Sequence, residues 1–133
     1  MSELILIRGL PGSGKSTFAR SMVKRFLAAG LSYDHIETDM FFQYLDEYKF
    51  DTSKLKEAHL WAQDWCRAEL QVGDSVVVSN TFTRIWEMQP YLDMAKEFKA
   101  KVTVLTCEGQ YGNVHGVPEE KIQEMKRRWE PYV

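Results

Sequence analysis

No apolar run in this chain approaches the roughly 18 residues that a membrane span needs, cysteine occurs only twice and proline four times, and neither sign of charge dominates. The first absence argues against a membrane partner. Cys66 and Cys107 lie far apart with no paired spacing, which excludes a zinc ribbon or a disulfide framework and leaves both as packing residues. A net charge of −2 and a pI near 5.9 give the molecule no strong electrostatic pull toward a phosphate backbone. The one basic cluster, Lys126, Arg127 and Arg128, reads as a solvated helix face. Leu4 to Ile7 is too short for a signal-peptide core and runs directly into polar, glycine-rich sequence, so the chain is expected to be cytoplasmic.

What is present is an alternation of strand-like and helix-like segments. Leu4 to Ile7 is continuously apolar and ends at a glycine, the pattern of a central parallel strand covered on both faces. Ser16 to Ala29 places Phe18, Met22, Val23, Phe26 and Leu27 at helical spacing, and Gly30 supplies a stop. His35 to Thr38 predicts a second strand and Met40 to Leu45 a short helix; Lys54 to Val72 predicts a longer helix closed by Gly73. Ser75 to Ser79, with three consecutive valines, predicts the third strand, and Lys101 to Thr106 the fourth. Between them Glu87 to Lys99 is helical with Pro90 in its first turn, and Pro118 to Trp129 opens with proline and two glutamates, as a helix amino end should. The expected architecture is α/β: a three-layer sandwich with a four- to five-stranded parallel sheet, one domain over residues 1–133. The glycine-bearing stretch 107–117 is expected to be a short lid-like loop.

Gly9-Leu10-Pro11-Gly12-Ser13-Gly14-Lys15-Ser16 fits the phosphate-loop pattern G-x-x-x-x-G-K-[ST] at every fixed position, with a strand before it and a helix after. Such a loop wraps phosphate oxygens with main-chain N–H groups, and the helix amino end adds partial positive charge. Gly9, Gly12, Ser13, Gly14, Lys15, Ser16 and Thr17 are therefore the predicted nucleotide-binding residues. Lys15 would bridge the β- and γ-phosphates, Ser16 would ligate Mg²⁺, and ATP with Mg²⁺ is the expected cofactor pair. Asp39, at the carboxyl end of a strand taken to lie beside the P-loop strand, suits a general base toward an acceptor hydroxyl; the same residue would equally serve as the amino cap of the Met40 helix. Asn80, Thr81 and Arg84 follow the third strand and could contact phosphate or substrate, or Asn80 and Thr81 could simply form the turn. His59, among apolar neighbours on the long helix, reads as a satisfied structural histidine.

Taken in order, Gly9 to Thr17, Glu37-Thr38-Asp39 with Phe41-Phe42, Tyr48 to Asp51, Ala58-His59 with Trp61, Asn80-Thr81, Trp86-Glu87-Met88 with Pro90-Tyr91, and Asn113 to Pro118 with Met125 resemble the polynucleotide-kinase-like P-loop family. That family includes phage-type polynucleotide 5′-kinases and small P-loop proteins named for binding a Nedd-type ubiquitin ligase. The resemblance implies an ATP-dependent phosphotransferase, with Lys15 and Asp39 catalytic and the γ-phosphoryl group passed to a nucleic-acid end, a nucleoside or another small acceptor. Three departures stand against full activity. The family's acid at the end of the third strand is matched by Ser79 and Asn80, its lid arginines by Tyr111 and Gly112, and the segment before Asn113 is shortened. A degenerate nucleotide-binding module acting through a protein partner is the alternative expectation.

Overall fold

The computed structural model describes residues 2–44, 52–110 and 117–132. Four parallel strands, β1 (Glu3–Gly9), β2 (Tyr33–Ile36), β3 (Ser75–Asn80) and β4 (Lys101–Cys107), form one sheet in the order β2-β3-β1-β4. The helices are α1 (Lys15–Ala28), α2 (Met40–Tyr44), α3 (Leu55–Gln71), α4 (Ile85–Glu97) and α5 (Glu119–Arg127), with a single 3₁₀ turn at Thr52–Lys54 leading into α3.

Register explains how the sheet divides its side chains. Leu4 pairs with Val76 and Leu6 with Val78, while Ile5 pairs with Val77, and successive strand residues face opposite sides. Leu4, Leu6, Val76 and Val78 accordingly pack with Ala62, Cys66 and Leu70 of α3 and Met88, Tyr91 and Met94 of α4. Ile5, Ile7 and Val77 pack with Ala19 of α1, supported by Met22, Val23 and Phe26. The result is the expected three layers, with α1 on one face and α3 and α4 on the other. Burying β1 and β3 on both faces is why their sequences are continuous apolar runs rather than alternating ones.

Three expectations are corrected. The second strand runs over Tyr33–Ile36 rather than His35 to Thr38, because its pairing with β3 begins at Tyr33 opposite Ser75 and ends at Ile36 opposite Val78. The sheet order inserts β3 between β2 and β1, so the segment carrying Asp39 is one strand removed from the P-loop strand, not beside it. The long α3 crossover returns the chain to the interior position, and the three-valine run of β3, fully buried, fills it. Helix α4 starts at Ile85, two residues before the predicted Glu87, and Pro90 therefore falls in its second turn. The earlier start has acceptors for its first N–H groups: Arg84 N donates to Glu87 Oε1 at 3.0 Å and Ile85 N to Glu130 Oε1 at 2.7 Å. The second of these acids lies 45 residues away, beyond the reach of local pattern.

Behind this helix start lies a feature no sequence pattern indicated. Arg8, next to the P-loop in β1, is only 1% exposed. Its guanidinium donates to the Phe82 carbonyl from Nε at 3.0 Å and from Nη2 at 2.6 Å, and to the Thr83 carbonyl at 3.3 Å. The Trp129 ring covers it at 4.1 Å. Phe82 carries a left-handed backbone at φ 46°, an unfavourable state for a bulky residue, and the Arg8 fork holds its carbonyl in that turn.

Candidate functional site

The P-loop stands at the carboxyl edge of β1. Gly12 and Gly14 have φ of 82° and 87°, angles that side chains resist, and Gly14 occupies the amino cap of α1 with no side-chain cap. The first N–H groups of α1 are thus left without a side-chain acceptor, as an anion site requires. At Gly9 the constraint is space: a Cβ there would collide with Ser13 Oγ and come within 2.9 Å of the Cys107 carbonyl oxygen. Gly9 N donates to Thr81 O at 3.3 Å, tying the loop to the end of β3.

Lys15 is the first residue of α1. Burial pushes its ammonium below the ordinary lysine value, against the opposing pull of Glu37 and then Asp39. Glu37 is the residue the sequence reading passed over as a chemical group. Its side chain is 14% exposed and accepts from the Ser79 hydroxyl at 2.9 Å, while His35 Nε2 lies 3.2 Å from the same carboxylate oxygen. Ser16 hydrogen-bonds to it as well. Burial would raise its pKa, but the bonds from His35, Ser16 and Ser79 and the His35 charge outweigh that and hold it at about 2. The signal that could have found Glu37 was the β2–β3 pairing: Ile36 lies opposite Val78, so the next residues along, Glu37 and Ser79, face each other.

Asp39 is exposed and, among the described residues, its carboxylate makes no hydrogen bond to the start of α2. Its cap role therefore gains no support, whereas its charge acts on both Lys15 and His59. The strand end that carries it is fixed by side chains: Thr38 N donates to Asn80 Oδ1 at 3.0 Å, and Thr38 Oγ1 lies 3.2 Å from His59 Nδ1. Burial holds the His59 imidazole below its ordinary value, against Glu87 and Asp39, as befits a histidine inside the structure.

Of the residues expected to touch phosphate or substrate, Asn80 and Thr81 lie at the site and Arg84 is engaged elsewhere. Asn80 Nδ2 and Ser13 Oγ are buried without a hydrogen-bond partner among the described residues, polar atoms that a phosphate or sugar oxygen could satisfy. Arg84 instead donates to the Arg128 carbonyl at 3.3 Å and lies 3.8 Å from Glu130. On the β4 side of the P-loop a cleft of about 330 Å³ is lined by residues 10–13 of the loop, residues 108–110 after β4, and Glu119, Ile122 and Lys126 of α5, so that Glu108 and Glu119 face it together with Lys126. Of the lid-like stretch, 107–110 and 117 are described; Tyr111, Gly112 and Asn113 lie outside the described residues.

A family model described as an AAA domain matches residues 4–111. The chain is 32% identical over 140 residues to NEDD4-binding protein 2 of Homo sapiens, covering 98% of this chain and 8% of that protein. Among solved structures, Kti12 of Chaetomium thermophilum in complex with ADP-AlF3 matches with a TM-score of 0.73 at 17% identity, over 96% of this chain and 80% of that one. A chain of the Pnkp1/Rnl/Hen1 RNA repair complex matches with a TM-score of 0.67 at 20% identity, over 95% and 37%. These structural likenesses are of fold. The chain belongs to this AAA-domain family and has its P-loop, kinase-like, nucleotide-binding fold.

Proposed function

We propose that this chain binds ATP at the P-loop and transfers its γ-phosphoryl group to a hydroxyl of a nucleic-acid end, a nucleoside or a small molecule. The observation that carries the reading is the uncapped amino end of α1 behind the left-handed glycines Gly12 and Gly14, with Lys15 as its first residue, within the charge of the Glu37 and Asp39 carboxylates. The N–H groups around Gly12 to Thr17 would hold the phosphates, and Lys15 would bridge the β- and γ-groups. The nucleoside would lie in the cleft on the β4 side, leaving the opposite side, toward Asp39, for the acceptor. Asp39, exposed and charged, would take the acceptor hydroxyl proton as its oxygen bonds to the γ-phosphorus and the β–γ bridging bond breaks, releasing ADP. The donor set at Ser16, a hydroxyl beside an ionised carboxylate, fits Mg²⁺; when bound, the ion would neutralise phosphate charge.

A second reading has its own support. Arg84 is tied to the carboxyl segment, so it does not replace the missing lid arginines, each worth about a thousandfold or more where present. A relative is named for binding NEDD4. On this reading the domain binds ATP and presents a surface to a protein partner. Incubating the protein with γ-labelled ATP, Mg²⁺ and DNA ends, RNA ends or nucleosides separates the two. Label on an acceptor is the expected result; nucleotide binding with no transfer overturns the kinase reading in favour of the binding module.

A further inference from the structure

Glu37 poses an electrostatic problem for the nucleotide site. A largely buried carboxylate, accepting a hydrogen bond from Ser79 at 2.9 Å, stands beside Ser16 at the start of α1, where the phosphates of a nucleotide would bring several more negative charges. Lys15 lies within the charge of both Glu37 and Asp39, and His35 sits behind, against Ser79 and Glu37. With a bare nucleotide this arrangement is repulsive. With a cation between carboxylate and phosphate it is complementary.

Proton accounting points the same way. Ser79 has one hydroxyl proton and gives it to Glu37 at 2.9 Å, so its oxygen must accept from His35 Nε2 at 2.7 Å. The Ser16 hydroxyl is a further hydrogen-bond partner of Glu37, which sets a second oxygen beside the carboxylate. Ser16, Glu37 and phosphate are all oxygen donors, the set a hard divalent ion prefers. Strand β3 ends in Ser79-Asn80 without an acid of its own, and the hydrogen bond from Ser79 fixes at that place a carboxylate delivered from β2.

We infer that Glu37 is the carboxylate which, with Ser16, holds a divalent cation against the donor phosphates, an inference that rests on the nucleotide-binding reading above. Glu37 thereby supplies from the second strand what the end of the third lacks.

The test is ADP and ATP affinity, measured by calorimetry in Mg²⁺ and again in chelator, for the parent, Glu37→Gln and Ser79→Ala. The parent should bind more tightly with Mg²⁺. Glu37→Gln should lose about tenfold or more of that gain, while its metal-free affinity stays the same or improves because a repelling charge is gone. Ser79→Ala, which keeps the carboxylate but removes the hydrogen bond that fixes it, should lose part of the gain, and less of it than Glu37→Gln. Should Glu37→Gln fail to fold, Mn²⁺ added to the unmutated protein with ADP should broaden the NMR signals of Glu37 and Ser16 before those of the separate carboxylate cluster Asp34, Glu69 and Asp74, whose oxygens lie within 4.8 Å of one another. A full Mg²⁺ gain in Glu37→Gln, or no early broadening at Glu37, overturns the inference alone. A parent that binds no nucleotide under either condition overturns the nucleotide reading and this inference with it.

Discussion

The two sides of the site are built by different means. The phosphate side is made of main chain: glycines at Gly9, Gly12 and Gly14, a helix amino end, and Lys15, all within one short segment. The acidic side is made of side chains from three segments, with His35 and Glu37 from the end of β2, Ser79 and Asn80 from the end of β3, and His59 from α3. A main-chain cradle is specified locally and tolerates change in most side chains. A side-chain network exists only once the sheet has brought its members together, and each member can be lost singly.

The sharpest break should come at Lys15. Lys15→Ala removes two charge-assisted phosphate contacts of about 1.5 kcal/mol each, so ATP affinity should fall about a hundredfold and any transfer further still. Unfolding temperature without nucleotide should barely move, because the change leaves the apolar core intact and removes a partly desolvated charge. Equal ATP binding by variant and parent would remove the P-loop from the site.

On the acidic side, Glu37 links stability to pH. Its folded pKa of about 2 lies below the ordinary 4.5, so its contribution is complete above the unfolded value and is lost as pH falls toward the folded one. Between about pH 5 and pH 2 the parent should lose up to about 3 kcal/mol that Glu37→Gln does not lose. Urea unfolding of both proteins across that range checks it, and parallel profiles would mean that Glu37 gains nothing from its partners.

Asp39→Asn should cut phosphoryl transfer by roughly a hundredfold with little effect on ATP affinity or stability. Asparagine caps a helix nearly as well as aspartate but cannot take the acceptor proton. Full transfer activity in the variant would return Asp39 to a structural role.

The smallest effect on the site, though not on the fold, is expected at Arg8. Arg8→Met leaves the Phe82 and Thr83 carbonyls without their donor and should cost about 2 kcal/mol of stability, with nucleotide affinity little changed. Denaturant unfolding with a parallel ATP titration tests whether this shoulder is independent of the cradle; a matching loss of affinity would show that it is not.

This contrast also marks what the sequence made legible. The P-loop motif was legible because its geometry is local, and the continuous apolar run Leu4 to Ile7 declared β1 a strand covered on both faces. Glu37 stayed hidden because the hydroxyl that donates to it, on Ser79, lies 42 residues away, and Arg8 because a charge inside an apolar strand gives no hint of the Phe82 carbonyl 74 residues on. The start of α4 was misplaced for the same reason, since its acceptor Glu130 belongs to the carboxyl segment. Strand order depends on how α3 returns the chain to the sheet, and periodicity does not encode that.

The position of β1 between β3 and β4 also sets an order of events during synthesis. The P-loop segment is synthesised before its partners: Gly9 finds its hydrogen-bond acceptor only when Thr81 appears and its strand partner only at Cys107. At roughly 5–20 residues per second the phosphate loop waits several seconds for the strands that hold it. Acquisition of nucleotide binding during translation would then report closure of the last strand rather than emergence of the motif.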